Sequence, residues 1–318
     1  MGRTRGDDGV AGMALGEVDQ QQGEPTTARP SAALPSEDDR ADPTTRWARH
    51  REVQALAYAC AEAVAADLCE GMTERDAARA MARWLGERGV REWFHRPFAW
   101  FGERTAFVAR PAWTPLHFFP TGRRLTEGTP VILDVAPVVD RYAADIGLAT
   151  WFGDEPDPRH ELMLADLEPY RALVLDGVRA GRTLARIYAD VDELLADQGY
   201  RSAHRQYPFS VIAHRVADRQ AKVPGPVRGR TPAGFGLGAQ RFLGGQLAAA
   251  VRGAAPTPLW NGTRHADRPA PPGLWAVEPH LAWGDLGVKW EELLVVTDDG
   301  DAFWLDDDLP HVRRWSTP

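Results

Sequence analysis

The chain has 318 residues, 44% of them hydrophobic and twelve of them Trp, enough for one large domain or two ordinary ones with a sizeable core. Its formal net charge is −8 with acids spread throughout, which argues against a nucleic-acid or membrane-surface partner. No apolar run approaches a membrane span and the N-terminus lacks the apolar core of a secretory signal, so a soluble cytoplasmic protein is expected.

Residues 1–45 are rich in Gly, Pro, Asp, Glu, Gln and Thr, with no aromatic residue and no periodicity. They read as a disordered tail, within which Met13 is an alternative start. Residues 46–318 read as one α+β domain without a convincing linker. Val53, Leu56, Ala57, Cys60, Val64 and Leu68 recur at helical spacing and predict a helix from Trp47 to about Gly71. Cys60 and Cys69 fall on opposite faces of it and cannot pair within it, in keeping with a reducing compartment. Thr73 with Asp76 reads as a capping box opening a second helix that ends at Gly89.

Residues 94–107 predict a strand with a turn at Gly102, and a Pro-rich connection holding His117 follows. Then comes VILDVAPVVDRYAADIGLATWFG, a strand carrying Asp134, a turn at Asp140-Arg141, and a strand carrying Asp145. Arg159 to Gly181 is a long helical stretch restarted at Pro169, and Thr183 to Gly199 is another helix. Strand-like residues 208–217 carry His214. The Gly- and Pro-rich stretch 218–272 holds one helix near Ala239–Val251. Two last strands, Leu274–Trp283 and Val288–Thr297, carry Glu278 and Glu291. No internal repeat is visible by eye.

Acids beside Ile132, Leu133, Val135 and Ile146 are costly to bury unless something positive neutralises them. Asp134, Asp145, His214, Glu278 and Glu291 all lie in or beside strand-like segments, and four of the five are oxygen donors. Such a set is what a two-ion site requires, with a hydroxide between the ions as nucleophile. One His among carboxylates points to Mn, Fe, Co or Zn rather than Ca or Mg.

The Asp hairpin resembles that of the pita-bread metallopeptidases: methionine aminopeptidase, aminopeptidase P, prolidase and creatinase. The segment AVEPHLAWGDLGVKWEELLVVTDDG is similar to their Val-Glu-Pro strand and the Gly-Val-basic-aromatic-Glu strand after it, and Gly71-Met72-Thr73-Glu74 resembles their Gly-x-Thr-Glu. The resemblance covers roughly residues 50–310. It implies a curved antiparallel sheet flanked by helices in pseudo-twofold halves, and two divalent ions (Mn, Co, Fe or Zn). Asp134 would chelate one ion, Asp145 and Glu291 would bridge both, and His214 and Glu278 would complete the second. Glu278 would also shuttle protons, and His117 would face the substrate. The family's habit of dimerising makes a homodimer a further expectation.

Several positions depart from the pattern. His214 lacks flanking glycines, Arg141 replaces the hairpin glycine, Leu148 stands where an arginine is common, and residues 215–225 hold no second substrate histidine. His95, His204 and His280 are pocket candidates, with His265 in the long insertion as another substitute. The function implied is an Xaa-Pro aminopeptidase-like hydrolase acting on a peptide or small amide through a metal-bound hydroxide. The alternatives are a small-molecule C–N hydrolase, a di-iron or di-manganese redox enzyme, and a non-catalytic binding module on the same fold.

Overall fold

The computed structural model describes residues 42–108, 118–220 and 236–316. Residues 1–41, most of the expected tail, lie outside them, as does His117. Helix α1 (Pro43–Ala66) starts earlier than its apolar periodicity, because Asp42 caps it by accepting from the Thr45 amide at 3.2 Å and Pro43 suits the first turn. It also stops short of Cys69, which is exposed in the following loop while Cys60 is buried, so the two thiols do not share a helix. Helix α2 (Glu74–Glu87) has the expected capping box between Thr73 and Asp76.

Strand β1 (Glu92–Phe101) leads to the hairpin β2 (Thr129–Val139), β3 (Tyr142–Ala143) and β4 (Ile146–Phe152). The two-residue turn puts Asp140 and Arg141 at φ 48° and 75°, the left-handed pair that matches strand twist. Arg141 is held there by its Nε donating to the Gln220 carbonyl at 2.8 Å and its own carbonyl accepting from the Gln220 amide at 2.7 Å. The predicted break near Pro169 is real: α3 (Pro158–Ala165) and α4 (Glu168–Arg179) are separate, and α5 (Leu184–Asp197) follows. The remaining elements are β5 (Arg201–Ser202), β6 (Ala213–Val216), α6 (Leu237–Val251), β7 (Leu259–Trp260), β8 (Gly273–Val277), β9 (His280–Trp283), β10 (Leu286–Val296), β11 (Ala302–Trp304) and α7 (Pro310–Trp315). The single strand expected over 274–283 is two, broken at Glu278-Pro279 because Pro279 cannot donate to a ladder.

The strands form one antiparallel sheet in the order β1-β2-β4-β10-β8-β6-β7, with β9 and β5 branching from β10. It is built of two like halves, as the family resemblance implied. Gly71 (φ 82°), Thr73 and Gly89 (φ 90°) frame α2, and Gly181 (φ 66°), Thr183 and Gly199 (φ 81°) frame α5 at the same spacing. In each half the threonine caps a helix, a left-handed glycine ends it, and strands follow. The first half's hairpin carries Asp134 and Asp145; the second half carries Glu278 and Glu291. The halves join where β4 pairs β10, Gly147 opposite Glu291.

Helices cover one face of the sheet. Tyr58, Met81 and Leu85 of α1 and α2 pack on Val131, Leu133 and Ile146, while Tyr170, Ile187 and Val191 belong to a larger cluster with Trp260, Trp275 and Trp290. Glu74 is a buried tie rather than a ligand. Its carboxylate accepts from the Phe101 and Thr121 amides at 3.0 and 2.7 Å, from Arg104 Nε at 2.7 Å and from Thr121 Oγ1 at 2.6 Å. A buried charge so fully satisfied is a structural anchor.

His160, on α3, is fully buried beside Trp151, and neither ring nitrogen makes a hydrogen bond. Burial pushes its imidazole down to about 4 from 6.5. It is neutral when folded and free to protonate when unfolded, so its contribution is whole above pH 6.5 and lost as pH falls toward 4. His160→Phe should therefore remove up to about 3 kcal/mol of the acid destabilisation across that window, read from urea unfolding at a series of pH values.

Candidate metal site

Three side chains stand in register across the middle of the sheet. Asp134 on β2 faces Gly147 on β4, which faces Glu291 on β10. Cross-strand partners share a face, so both carboxylates emerge on the side away from the helices. Glu278 enters the same space just after β8, where its amide donates to the Ile212 carbonyl at 2.7 Å. His214 on β6 pairs with Ala276, two residues before Glu278 and on the same face. Asp145 sits just before β4. All five residues expected as ligands therefore converge, and all but His214 are buried, His214 being half-buried.

Two further residues join them. His95 on β1 places Nε2 at 2.8 Å from Asp145 Oδ1 and 3.3 Å from Asp134 Oδ1. A regular strand would send His95 and Phe98 to opposite faces. Irregular register between Trp93 and Phe98, around Pro97, resets the alternation and brings both to the site. Lys289, two residues before Glu291 on β10, is the second addition. Its Nζ donates to Asp134 Oδ2 at 2.6 Å and to Glu278 Oε2 and Glu291 Oε2 at 2.8 Å each. Its stem crosses β4 at Gly147, where a Cβ would come within 2.2 Å of Lys289 Cε. The sequence signal for Lys289 was its parity with Glu291; His95 was expected only as a pocket candidate, because the bulge that brings it to the carboxylates is not legible in alternation.

The charges govern one another. Burial opposes ionisation of Lys289, but Asp134, Glu278 and Glu291 outweigh it and hold the ammonium well above its ordinary range. Burial and the neighbouring Asp145 push Glu291 well up, and burial raises Glu278 despite Lys289. Burial alone would raise Asp145 too, yet His95 and His214 hold it below the usual carboxylate range. Burial opposes protonation of His95, and Asp145 overcomes this to push it up to about 9.

The donors fit an ion. Asp134 Oδ1 and Asp145 Oδ2 are buried without a hydrogen bond, although His95 and His214 nitrogens lie 3.3 and 3.2 Å away. Buried carboxylate oxygens facing imidazole nitrogens form the donor set a divalent transition ion takes.

The other histidines lie elsewhere. His280 is buried behind Lys289, its Nε2 donating to the Thr105 carbonyl at 2.7 Å and its Nδ1 accepting from Tyr207 at 2.8 Å. Burial, then Lys289, hold it neutral. His204 is buried against Asp192, Ser202 and Tyr188, away from the cavity. His265 is exposed.

Above the cluster opens a cavity of about 440 Å³ whose floor is His95, Asp134, Asp145, His214, Glu278 and Glu291. Its walls are Phe98, Phe118, Phe209, Val211 and Leu259, and α6 roofs it with Ala239, Leu243 and Leu247. The roof is seated where Gly236, whose amide donates to the Phe94 carbonyl at 2.7 Å, meets β1 so closely that a Cβ would strike the Trp93 carbonyl. No described helix is long and apolar enough to cross a membrane.

Residues 48–298 match metallopeptidase family M24. A search of curated proteins found no match. Similar solved structures include an X-Pro aminopeptidase from Thermotoga maritima, at TM-score 0.60 and 15% identity over 85% of this chain and 63% of that one. A prolidase from Pyrococcus horikoshii gives 0.55 and 15%, over 80% of this chain and 60% of that one. A methionine aminopeptidase from Rickettsia prowazekii gives 0.55 and 12%, over 83% of this chain and 98% of that one. The chain therefore spans about 60% of the length of the first two.

Gly147→Ala places a methyl group where the Lys289 stem runs. It should cost roughly 1–3 kcal/mol of stability by overpacking, measured by denaturant unfolding.

Proposed function

The chain belongs to metallopeptidase family M24 and has its pita-bread fold, and from that premise we propose that it is a metal-dependent hydrolase of amide bonds. The observation that carries this reading is the convergence of six buried or half-buried donors on the floor of an apolar-walled cavity. Asp145, flanked by His95 and Asp134 on one side and His214 and Glu291 on the other, would hold the ion. A divalent ion bound there supplies Lewis acidity toward a carbonyl and a water made acidic near neutral pH.

The chain's own residues do the rest. Glu278 gives Oε2 to Lys289, leaving Oε1 to take a proton from the attacking water and return it to the leaving nitrogen. Burial raises its carboxyl above the ordinary range, the direction that favours returning the proton. Lys289 keeps Asp134 and Glu291 in place by direct hydrogen bonds. The apolar walls exclude bulk water and take an apolar substrate group. His117, outside the described residues, is assigned to steadying the tetrahedral intermediate on the family pattern alone.

The first candidate substrate is an N-terminal Xaa-Pro bond, whose proline ring suits an apolar wall. Among the described residues lining the cavity, no Lys or Arg faces a free carboxylate, which favours a longer peptide or a small neutral amide over a dipeptide. Small-molecule C–N hydrolysis is the second reading for that reason.

The test is a panel of Xaa-Pro peptides, Xaa-Pro dipeptides and aryl amides with the Mn- or Co-loaded chain. Turnover is expected, and Asp145→Asn should lower kcat/KM by roughly a thousandfold or more while leaving the fold intact. No turnover across the panel by metal-loaded protein would overturn the hydrolase reading and leave a redox enzyme or a binding module.

A further inference from the structure

Resting on the metal reading above, we infer that His95 is a metal ligand, a second imidazole beyond the one that the family pattern supplies, standing opposite His214 across Asp145. The two rings reach the site from opposite flanks of the sheet, His95 from β1 and His214 from β6, with β2, β4, β10 and β8 between them.

The two imidazoles are held in the same way. His95 Nδ1 lies 2.9 Å from the Arg96 carbonyl and His214 Nδ1 lies 3.2 Å from the Arg215 carbonyl. A carbonyl only accepts, so each Nδ1 carries the hydrogen and each Nε2 is left to face Asp145. Those Nε2 atoms are 2.8 Å from Asp145 Oδ1 and 3.2 Å from Asp145 Oδ2. Donation from the far ring nitrogen to a carbonyl is the support that orients metal-bound imidazoles. Each ring also lies flat on a phenyl ring, His95 on Phe98 at 4.9 Å and 13°, His214 on Phe94 at 5.0 Å and 3°.

A hydrogen bond to Asp145 does not by itself account for His95. Its Nε2 is also 3.3 Å from Asp134 Oδ1, a buried oxygen that makes no hydrogen bond. One N–H turned to Asp145 leaves that oxygen unserved. One divalent ion serves all three groups, because their donor atoms lie within 4.8 Å of one another. The same holds for Asp145, His214 and Glu291 on the other side. The irregular register of β1 around Pro97 then has a use, since it aims a nitrogen at the carboxylates. With His95 the donor set becomes four carboxylates and two imidazoles. Each added nitrogen moves preference toward Fe, Co or Zn and away from Mn.

The test is a crystal structure of the intact chain loaded with Zn(II), the ions located by anomalous scattering, together with Zn(II) and Mn(II) competition in solution. His95 Nε2 should lie roughly 2.0–2.1 Å from an ion that Asp134 and Asp145 also hold. His95→Gln keeps a donor for Asp145 but loses the imidazole. It should lower the ratio of Zn(II) to Mn(II) affinity by about tenfold. An ion on Asp134 and Asp145 that His95 does not touch would overturn the inference, as would ions held only on the His214 side. A folded His95→Gln chain with an unchanged ratio would overturn it too, and if that variant does not fold, the wild-type crystal decides alone. No ion in the wild type would end the metal reading and this inference together. Metal held by His95 without amide turnover would remove only the hydrolase reading, so the two failures are told apart.

Discussion

Four carboxylates gathered on one buried sheet face are the constraint on which the rest of this structure depends. Asp134, Asp145, Glu278 and Glu291 repel one another and have lost water, and such a group persists only with cations or protons among them. The chain supplies one cation itself in Lys289 and two ionisable imidazoles in His95 and His214. Asp145, paired with both histidines, is where donors that could hold a metal ion gather.

The fold delivers this cluster by simple means. Two halves, each a glycine-framed helix followed by antiparallel strands, bring their carboxylates to a shared seam between β4 and β10. At the seam the sequence needs a residue without a side chain, because the Lys289 stem passes over it, and Gly147 is that residue. Outside the seam the ties are ordinary. Glu74 fixes the start of α2 to β1 and the loop after it, and Arg171 grips buried Glu292 at 2.8 and 3.2 Å on the helix-covered face.

Much of this was legible in the sequence, and the reasons differ by residue. The Asp134–Asp145 spacing, the Val-Glu-Pro segment and the Gly-Val-Lys-Trp-Glu strand are local patterns, and local patterns survive in one dimension. The capping box at Thr73 was readable for the same reason. The twofold relation came from the family resemblance and not from a visible repeat, because the halves share only their caps and glycines while their apolar positions vary freely. His95 was read as a pocket candidate, but its place beside Asp145 was hidden by an irregular strand that breaks the period-two rule. Lys289 was visible as a basic residue, but which charge it meets is decided by a neighbouring strand. His204 and His280 looked like pocket residues only because the sequence does not say which polar groups will satisfy a buried ring.

The Lys289 contacts also bear on how the site is assembled. One ammonium ties Asp134 of the first half to Glu278 and Glu291 of the second, closing a loop of about half the chain. A metal that alone performed this closure would be a folding cofactor, and the protein would be unfinished without it. Here a side chain synthesised with the chain holds the seam shut. The cage is closed by the chain itself, so an ion it takes would be chosen by a finished site and not by the act of folding.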